Sequence, residues 1–233
     1  MKEELIRLEK VIGEENVRML TQKTVCIVGC GGVGGYVIEA LARSGIGTLI
    51  LVDFDQIELS NMNRQIIALY STLHRKKVDV WKERIHEINK DCQVITYDLF
   101  YDDNCKDQIF EEKIDFLVDA CDTMKAKKLL ILECLRRNIP FLSSMGTGNK
   151  LDPSKLEITE LKKTSYDPLA RILRKWVKEN HITSRIVVLS SKEMPVKTGE
   201  KTPGSTAFVP SAAGLLIASY IVKYFMKCKP LDS

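Results

Sequence analysis

Apolar residues recur at helical spacing from the start of the chain, at Leu5, Leu8, Ile12, Val17 and Leu20, with Gly13 interrupting them. The pattern predicts two short helices, an arm over residues 1–22 laid on the rest of the chain or on a neighbouring subunit. A β-branched run then follows (Val25, Ile27, Val28), short enough for one buried strand. Beyond Gly29, Gly31, Gly32 and Gly34 the helical period returns at Val33, Val37, Ala40 and Leu41. Gly45 and Gly47 stop that helix, and Leu49, Ile50, Leu51 and Val52 begin a second strand closing on Asp53.

The polar stretch Ser60 to Gln65 predicts a short helical turn, and Val78, Trp81, Ile85 and Ile88 mark one face of an amphipathic helix. Further strands are expected over 93–98, 114–119 and 140–144, with helices within 104–112 and over 125–137. Two more strands, over 158–161 and 185–189, flank the segment DPLARILRKWVKENH. In that helix Arg171, Arg174, Lys175 and Lys178 fall on one side, and Leu169, Ile172, Leu173 and Trp176 on the other. Residues 192–206, KEMPVKTGEKTPGST, carry almost nothing apolar and predict a mobile loop, either a binding element or simple disorder. The last helix, PSAAGLLIASYIVKYFM, is interrupted by Gly214 and Lys223 and falls short of the ~20 residues of a membrane span. A buried core or dimer helix is expected, and no membrane contact.

Alternating strands and helices predict an α/β fold: a Rossmann-like, doubly wound, mostly parallel sheet with helices on both faces. C-terminal strands and the apolar C-terminal helix complete it. The expectation is one domain over 1–233, with the arm at 1–22, a nucleotide-binding core at 23–150 and a substrate-facing extension at 151–233.

The chain's 233 residues suffice for one well-formed core, and its 45% hydrophobic and 28% charged content is ordinary for a globular protein. A net charge of +4 permits an anionic partner without arguing for one. The seven cysteines (Cys26, Cys30, Cys92, Cys105, Cys121, Cys134, Cys228) contain no C-x-x-C pair, which argues against a thiolate zinc site. Their odd number and the charged start MKEELIRLEK point to a cytoplasmic protein with reduced thiols, Cys228 being the one expected to be exposed.

Thr24 to Asp53 is strand, glycine turn, helix, strand and acid, in the order of a nucleotide-binding βαβ unit. Glycines let the backbone approach phosphate oxygens, and the helix start offers unpaired N–H groups. Asp53 is placed to accept hydrogen bonds from ribose hydroxyls. Lys77 lies in the first turn of its helix, where a cation opposes the helix dipole unless an anion holds it. Asp122 follows the strand ending at Asp119 and suits either a magnesium ion or the N-cap of the next helix. The basic stripe of the later helix suits a phosphate backbone or a solvated face. A nicotinamide dinucleotide needs no such cations, whereas a triphosphate does. The charge count of Arg64, Lys77 and Asp122 therefore favours ATP and adenylation over an NAD-dependent oxidoreductase.

GCGGVG, LVDFD, SNMNRQ, the HRKKV helix start and DACDT together resemble the ATP-binding module of the ubiquitin-activating enzyme superfamily. Within it, ALARSGIG, RQIIAL, SSMGTGNKLDP, TSYDPLARILRK and the KEMP loop extend the resemblance to the tRNA threonylcarbamoyladenosine dehydratases, over nearly the whole chain. The resemblance implies ATP-dependent cyclisation of threonylcarbamoyladenosine next to the tRNA anticodon, through adenylation of its carboxylate. It also implies that Gly29, Gly31, Gly32, Gly34, Asp53 and Asp55 contact ATP, that Asn63, Arg64 and Lys77 meet the phosphates, and that Asp122 holds magnesium. Arg7, read by spacing alone as a solvated residue, matches an arginine that such enzymes reach across a homodimer. The tRNA stem would meet Arg171, Arg174, Lys175 and Lys178 together with Lys192 and Lys197 of the loop. A sulfur-relay protein is a further candidate partner. The alternative reaction, adenylation of a ubiquitin-like sulfur carrier's C-terminus, is disfavoured by the missing C-x-x-C pairs and by the lack of an obvious thioester cysteine.

Overall fold

The computed structural model describes residues 3–200 and 202–226, so Cys228 lies outside the described residues. Helices α1 (Ile6–Ile12) and α2 (Glu14–Leu20) form the arm, parted at Gly13 by a backbone φ of 84° that an L side chain rarely adopts. The arm lies on its own chain. Leu20 is fully buried in the main core, and Leu5 closes over Gly45.

Seven strands form one sheet: β1 (Thr24–Val28), β2 (Thr48–Val52), β3 (Gln93–Tyr97), β4 (Phe116–Asp119), β5 (Phe141–Ser144), β6 (Leu156–Glu160) and β7 (Val187–Ser191). Their order is β3-β2-β1-β4-β5-β7-β6, parallel throughout except where β6 runs antiparallel to β7. Between β1 and β4 the order reverses, and that switch point opens a crevice at the carboxyl ends of the strands.

Alternate residues of β1 serve opposite faces, as a doubly covered strand requires. Val25 and Ile27 join α3 (Gly34–Arg43), α4 (Lys77–Ile88) and α7 (Phe208–Phe225) in one core, through Val37, Trp81 and Ile217. Cys26 and Val28 join α5 (Met124–Arg137) in the other, through Leu129, Leu130 and Cys134. A third cluster packs Ala170 and Leu173 of α6 (Pro168–Glu179) onto Val188. Each fully buried aliphatic side chain contributes roughly 1.5–3 kcal/mol.

Several sequence expectations change. No α-helix forms within 104–112; a 3-10 turn, Gln108–Phe110, takes its place, and Asp102 ties down the N–H of Asn104 in a local turn instead. Strands expected at 158–161 and 185–189 shift to 156–160 and 187–191 because β6 and β7 pair in that register. Gly214 does not interrupt α7: a Cβ there would come within 2.4 Å of the Val33 carbonyl, so it marks where α7 crosses α3. At 18 residues α7 has the length and apolarity of a membrane span, yet it packs against α3 and β6 as a core helix. In the loop 192–206 the described residues are tied down at both ends. Glu193 accepts hydrogen bonds from the N–H groups of Leu151 and Asp152, and Asn149 Oδ1 accepts one from Gly204.

Candidate nucleotide site

A cleft of about 290 Å³ lies at the switch point. The glycine turn forms its floor, and its geometry is set from three sides. Gly29 has φ 92°, and a Cβ on it would strike the Ala120 carbonyl at 2.7 Å. The Cys30 N–H donates to Asp53 Oδ2 at 2.7 Å, and the Cys30 carbonyl accepts from Trp81 Nε1 at 3.1 Å. No side chain caps the start of α3. The Gly35 and Tyr36 N–H groups bond back to the Gly31 and Val33 carbonyls at 2.8 and 3.1 Å, so the first turn of α3 is fastened to the glycine turn and its positive dipole end lies beside Gly31, Gly32 and Val33 of the cleft.

Trp81 and Lys77 sit one turn apart on α4, so the helix that pins the turn also delivers a cation to it. Lys77 is buried; its Nζ lies 2.6 Å from Asp55 Oδ2 and 3.8 Å from Asp53 Oδ1. Burial pushes the Asp53 carboxyl above the usual aspartate range, against the opposing pull of Lys77 and of the hydrogen bonds from the N–H groups of Asp55 and Cys30. The Asp53 oxygens already accept those two N–H bonds, at 2.7 and 2.9 Å, which orients the carboxylate across the cleft floor.

Arg64 reaches the cleft from the turn after the 3-10 segment Leu59–Asn61, its Nη1 held by the Ser60 carbonyl at 2.8 Å and Asn63 Oδ1 at 2.9 Å. Asp122 lines the opposite wall. The capping role open to it from sequence is not realised, because Thr123 stands at the N-cap of α5 and no side-chain cap bond forms. Its exposed carboxylate carries only a contact from Thr123 Oγ1, at 3.3 Å. One free carboxylate fits a magnesium ion, which completes its shell with phosphates and water. Among the described residues no three His, Cys, Asp or Glu side chains converge as a metal-holding group.

The cleft thus unites Gly29, Gly31, Gly32, Asp53, Asp55, Arg64, Lys77 and Asp122. Three expected residues stand elsewhere. Gly34 is a packing glycine, since its Cβ would lie 1.8 Å from the Gly29 carbonyl oxygen, and it does not line the cleft. Asn63 braces Arg64 and donates to the Ser205 carbonyl at 3.0 Å instead of lining the cleft itself. Arg7 is exposed on α1, away from this chain's own cleft.

The expected tRNA contacts divide as well. Arg171, Lys175 and Lys178 are exposed along α6, and Lys197 is exposed in the loop. Arg174 turns inward to bond the Thr164 carbonyl at 2.9 Å and the Thr164 hydroxyl, and Lys192 pairs with Glu157 at 2.6 Å. Neither is free as expected, and Ile172, expected on the apolar side, is itself exposed.

Sequence reading passed over other cleft residues. Phe54 and Phe100 meet edge to face at 5.0 Å, and Asn61, Gln65, Tyr101, Thr147 and Ser205 line the cleft beside them. Applying the carboxyl-edge rule to β3, as to the other strands, would have found Phe100 and Tyr101. Asp119, the other carboxylate expected at this carboxyl edge, is fully buried, with Lys127 Nζ at 3.0 Å and the Ser143 hydroxyl bonded to it, and so is closed to a ligand. Cys121 also lines the cleft; burial, and then neighbouring Asp119, push its thiol well above the ordinary range, so it stays protonated rather than nucleophilic.

A glycine turn, a buried acid at the end of β2, two cations and an exposed carboxylate on one switch-point cleft define a nucleotide-binding α/β protein, and the chain belongs to the ThiF family, whose profile matches residues 3–233. It is 39% identical over 238 residues to the tRNA threonylcarbamoyladenosine dehydratase of Bacillus subtilis (strain 168), covering 95% of this chain and 94% of that one. The Escherichia coli tRNA N6-threonylcarbamoyladenosine dehydratase in complex with ATP superposes with a TM-score of 0.88 at 33% identity, covering 94% of this chain and 91% of that one. The same enzyme in complex with AMP gives a TM-score of 0.88 at 32% identity, with 94% and 92% covered.

Proposed function

We propose that this protein is an ATP-dependent adenylating enzyme that dehydrates threonylcarbamoyladenosine next to the tRNA anticodon to its cyclic form. The observation carrying the reading is that Lys77, Arg64 and Asp122 face one cleft with the glycine turn and Asp53. The identity of 39% to the Bacillus subtilis dehydratase across nearly the full length of both chains supplies the substrate class.

In this reading the glycine-turn N–H groups and the start of α3 hold phosphate oxygens, and Asp53 accepts from the ribose hydroxyls. Lys77 and Arg64 neutralise charge on the triphosphate, and Asp122 would hold a magnesium ion, which supplies further charge neutralisation when bound. The substrate carboxylate attacks the α-phosphorus and pyrophosphate leaves. The substrate's own carbamoyl group then closes on the acyl carbon and releases AMP. Because the second nucleophile comes with the substrate, the protein's contribution is charge neutralisation and alignment. Arg7, exposed and away from its own cleft, serves a second copy in a homodimer.

The deciding assay is ATP–pyrophosphate exchange and AMP release with tRNA carrying the threonylcarbamoyl group, against tRNA lacking it. Exchange that ignores tRNA and requires a small protein ending in Gly-Gly would overturn the reading, as would preferential uptake of NAD.

The raised carboxyl of Asp53 gives this site a pH signature. Its ionised form is the one that accepts ribose hydroxyls, so ATP affinity should fall on acidification at a higher pH than an ordinary aspartate, near 3.9, would dictate. Titration calorimetry with ATP across the acid range checks this, and affinity flat down to pH 4 would argue against a ribose contact.

For tRNA, the reading assigns contact to Arg171, Lys175 and Lys178. Reversing charge in an Arg171→Glu/Lys178→Glu double variant should weaken tRNA binding and reduce its salt slope by about one per lost phosphate contact, leaving ATP affinity unchanged. Filter binding at several salt concentrations measures both.

A further inference from the structure

Five non-glycine residues among those described have a positive φ: His74, Asn138, Asn149, Tyr166 and His181. Four are asparagine or histidine, which tolerate this region, whereas a tyrosine there is an outlier because its Cβ crowds the backbone. Tyr166, at φ 55°, is fixed from both sides. The Thr164 hydroxyl donates to the Leu161 carbonyl at 2.7 Å, and the Thr164 carbonyl holds the Arg174 guanidinium at 2.9 Å. Asp167 is buried; its Oδ1 accepts from the Ala170 N–H at 2.9 Å and its Oδ2 lies 3.4 Å from Lys150 Nζ. Between these anchors Tyr166 is 59% exposed, with no hydrogen bond or ring contact among the described residues. Glycine or asparagine would make the same turn at less cost, so nothing in the fold accounts for the ring. A strained residue that its surroundings hold in place points to function.

The position of the ring narrows what that function is. Asp167 Oδ2 lies 3.3 Å from where a Cβ on Gly146 would stand, and Gly146 adjoins Thr147 of the cleft lining. Tyr166 is therefore one residue away from the contact that joins the start of α6 to the cleft wall. Beyond it the exposed Arg171, Lys175 and Lys178 extend over about 10 Å of helix. The ring thus stands between the cleft wall and the basic stripe. A strand whose reacting side chain enters the cleft and whose phosphates meet α6 has to pass it.

An exposed aromatic beside a row of cations is how proteins hold unpaired nucleotides: the ring stacks on a base while the cations meet phosphates. Resting on the reading of modified tRNA as the substrate, we propose that Tyr166 stacks on an unpaired base of the anticodon loop and holds the loop at the cleft mouth. Bases stacked and paired in a stem offer no free face to the ring, so the contact favours the loop over any duplex.

Tyr166→Asn, which suits the positive φ, removes the ring, and Tyr166→Phe keeps it. For Tyr166→Asn the expected results are a KM for threonylcarbamoyl-tRNA raised about tenfold and an unchanged KM for ATP. The salt slope of tRNA binding should equal that of the wild type, because stacking neutralises no phosphate. Tyr166→Phe should match the wild type throughout. Binding of an anticodon stem-loop hairpin should weaken in Tyr166→Asn, and binding of a fully paired RNA duplex should not. An unchanged KM for modified tRNA in Tyr166→Asn would overturn the proposal. So would an equal loss in Tyr166→Phe, an equal loss on the duplex, or a shallower salt slope, each of which assigns the contact to something other than a base on the ring. If the wild type turns over no modified tRNA, the substrate reading itself fails. If the wild type turns it over and Tyr166→Asn does so equally well, only the stacking proposal fails.

Discussion

Lys77→Ala is expected to lower AMP-forming turnover by at least about 10²–10³-fold, the usual effect of removing one preorganised charge donor from a reacting phosphate or acyl group. The structure makes the loss larger than a missing contact. Lys77 is the cation shared by Asp53 and Asp55, at 3.8 and 2.6 Å, deep in the cleft. Without it two carboxylates face the incoming triphosphate with no positive charge between them, and like-charge repulsion adds to the lost attraction. Lys77 also counters the upward push of burial on Asp53, so the variant should shift the acid limb of ATP binding to higher pH. Lys77→Arg should recover only part of the activity, since a planar guanidinium replaces a point charge on a shorter reach. Steady-state AMP release with calorimetric ATP affinity measures both effects. Intact turnover in Lys77→Ala would remove the triphosphate from this cleft.

Gly34→Ala should damage the fold itself. The added methyl would stand 1.8 Å from the Gly29 carbonyl oxygen and 3.3 Å from the Ala120 side chain, and the first of these is backbone that no rotamer change can move. Relief requires moving the start of α3 away from the glycine turn that follows β1. Overpacking typically costs about 1–3 kcal/mol, and a backbone clash belongs at or above the top of that range. For a chain of this size about 3 kcal/mol corresponds to a melting temperature lower by roughly 6–12 °C. Thermal unfolding followed by circular dichroism checks it. Gly13→Ala is the internal comparison: nothing lies within 4 Å of that Cβ, so only the strain of its positive φ contributes, a smaller effect.

The two glycines show where sequence reading works and where it stops. Both Gly29 and Gly34 belong to one motif and both were expected at ATP. Only the folded chain separates Gly29, which faces the cleft, from Gly34, whose missing side chain serves the contact between α3 and the glycine turn. Arg174 makes the same point on α6. Helical spacing puts it correctly beside Arg171 and Lys178, but spacing carries no information about Thr164, ten residues earlier, which captures its guanidinium. Lys127 was invisible for a related reason. In sequence it is one of several basic residues at the start of a helix. In the fold it is fully buried against Asp119, Ser143 and the Ser144 carbonyl, partners drawn from two neighbouring strands.

What the amino-acid order determined by itself is local and periodic. It set the βαβ unit, the apolar faces of α3 and α4, the break at Gly13, and the identity of the charged residues at the strand ends. Short-range backbone preferences and the 2.0 and 3.6 periods encode these directly. What tertiary structure decided is which of those charges share a cleft and which are consumed in buried pairs. Lys77 meets Asp55 across 22 residues, Cys30 meets Asp53 across 23, and Asn63 meets Ser205 across 142. Contacts at such separations depend on how the strands are ordered in the sheet, and neither residue of a pair carries that order in its own surroundings.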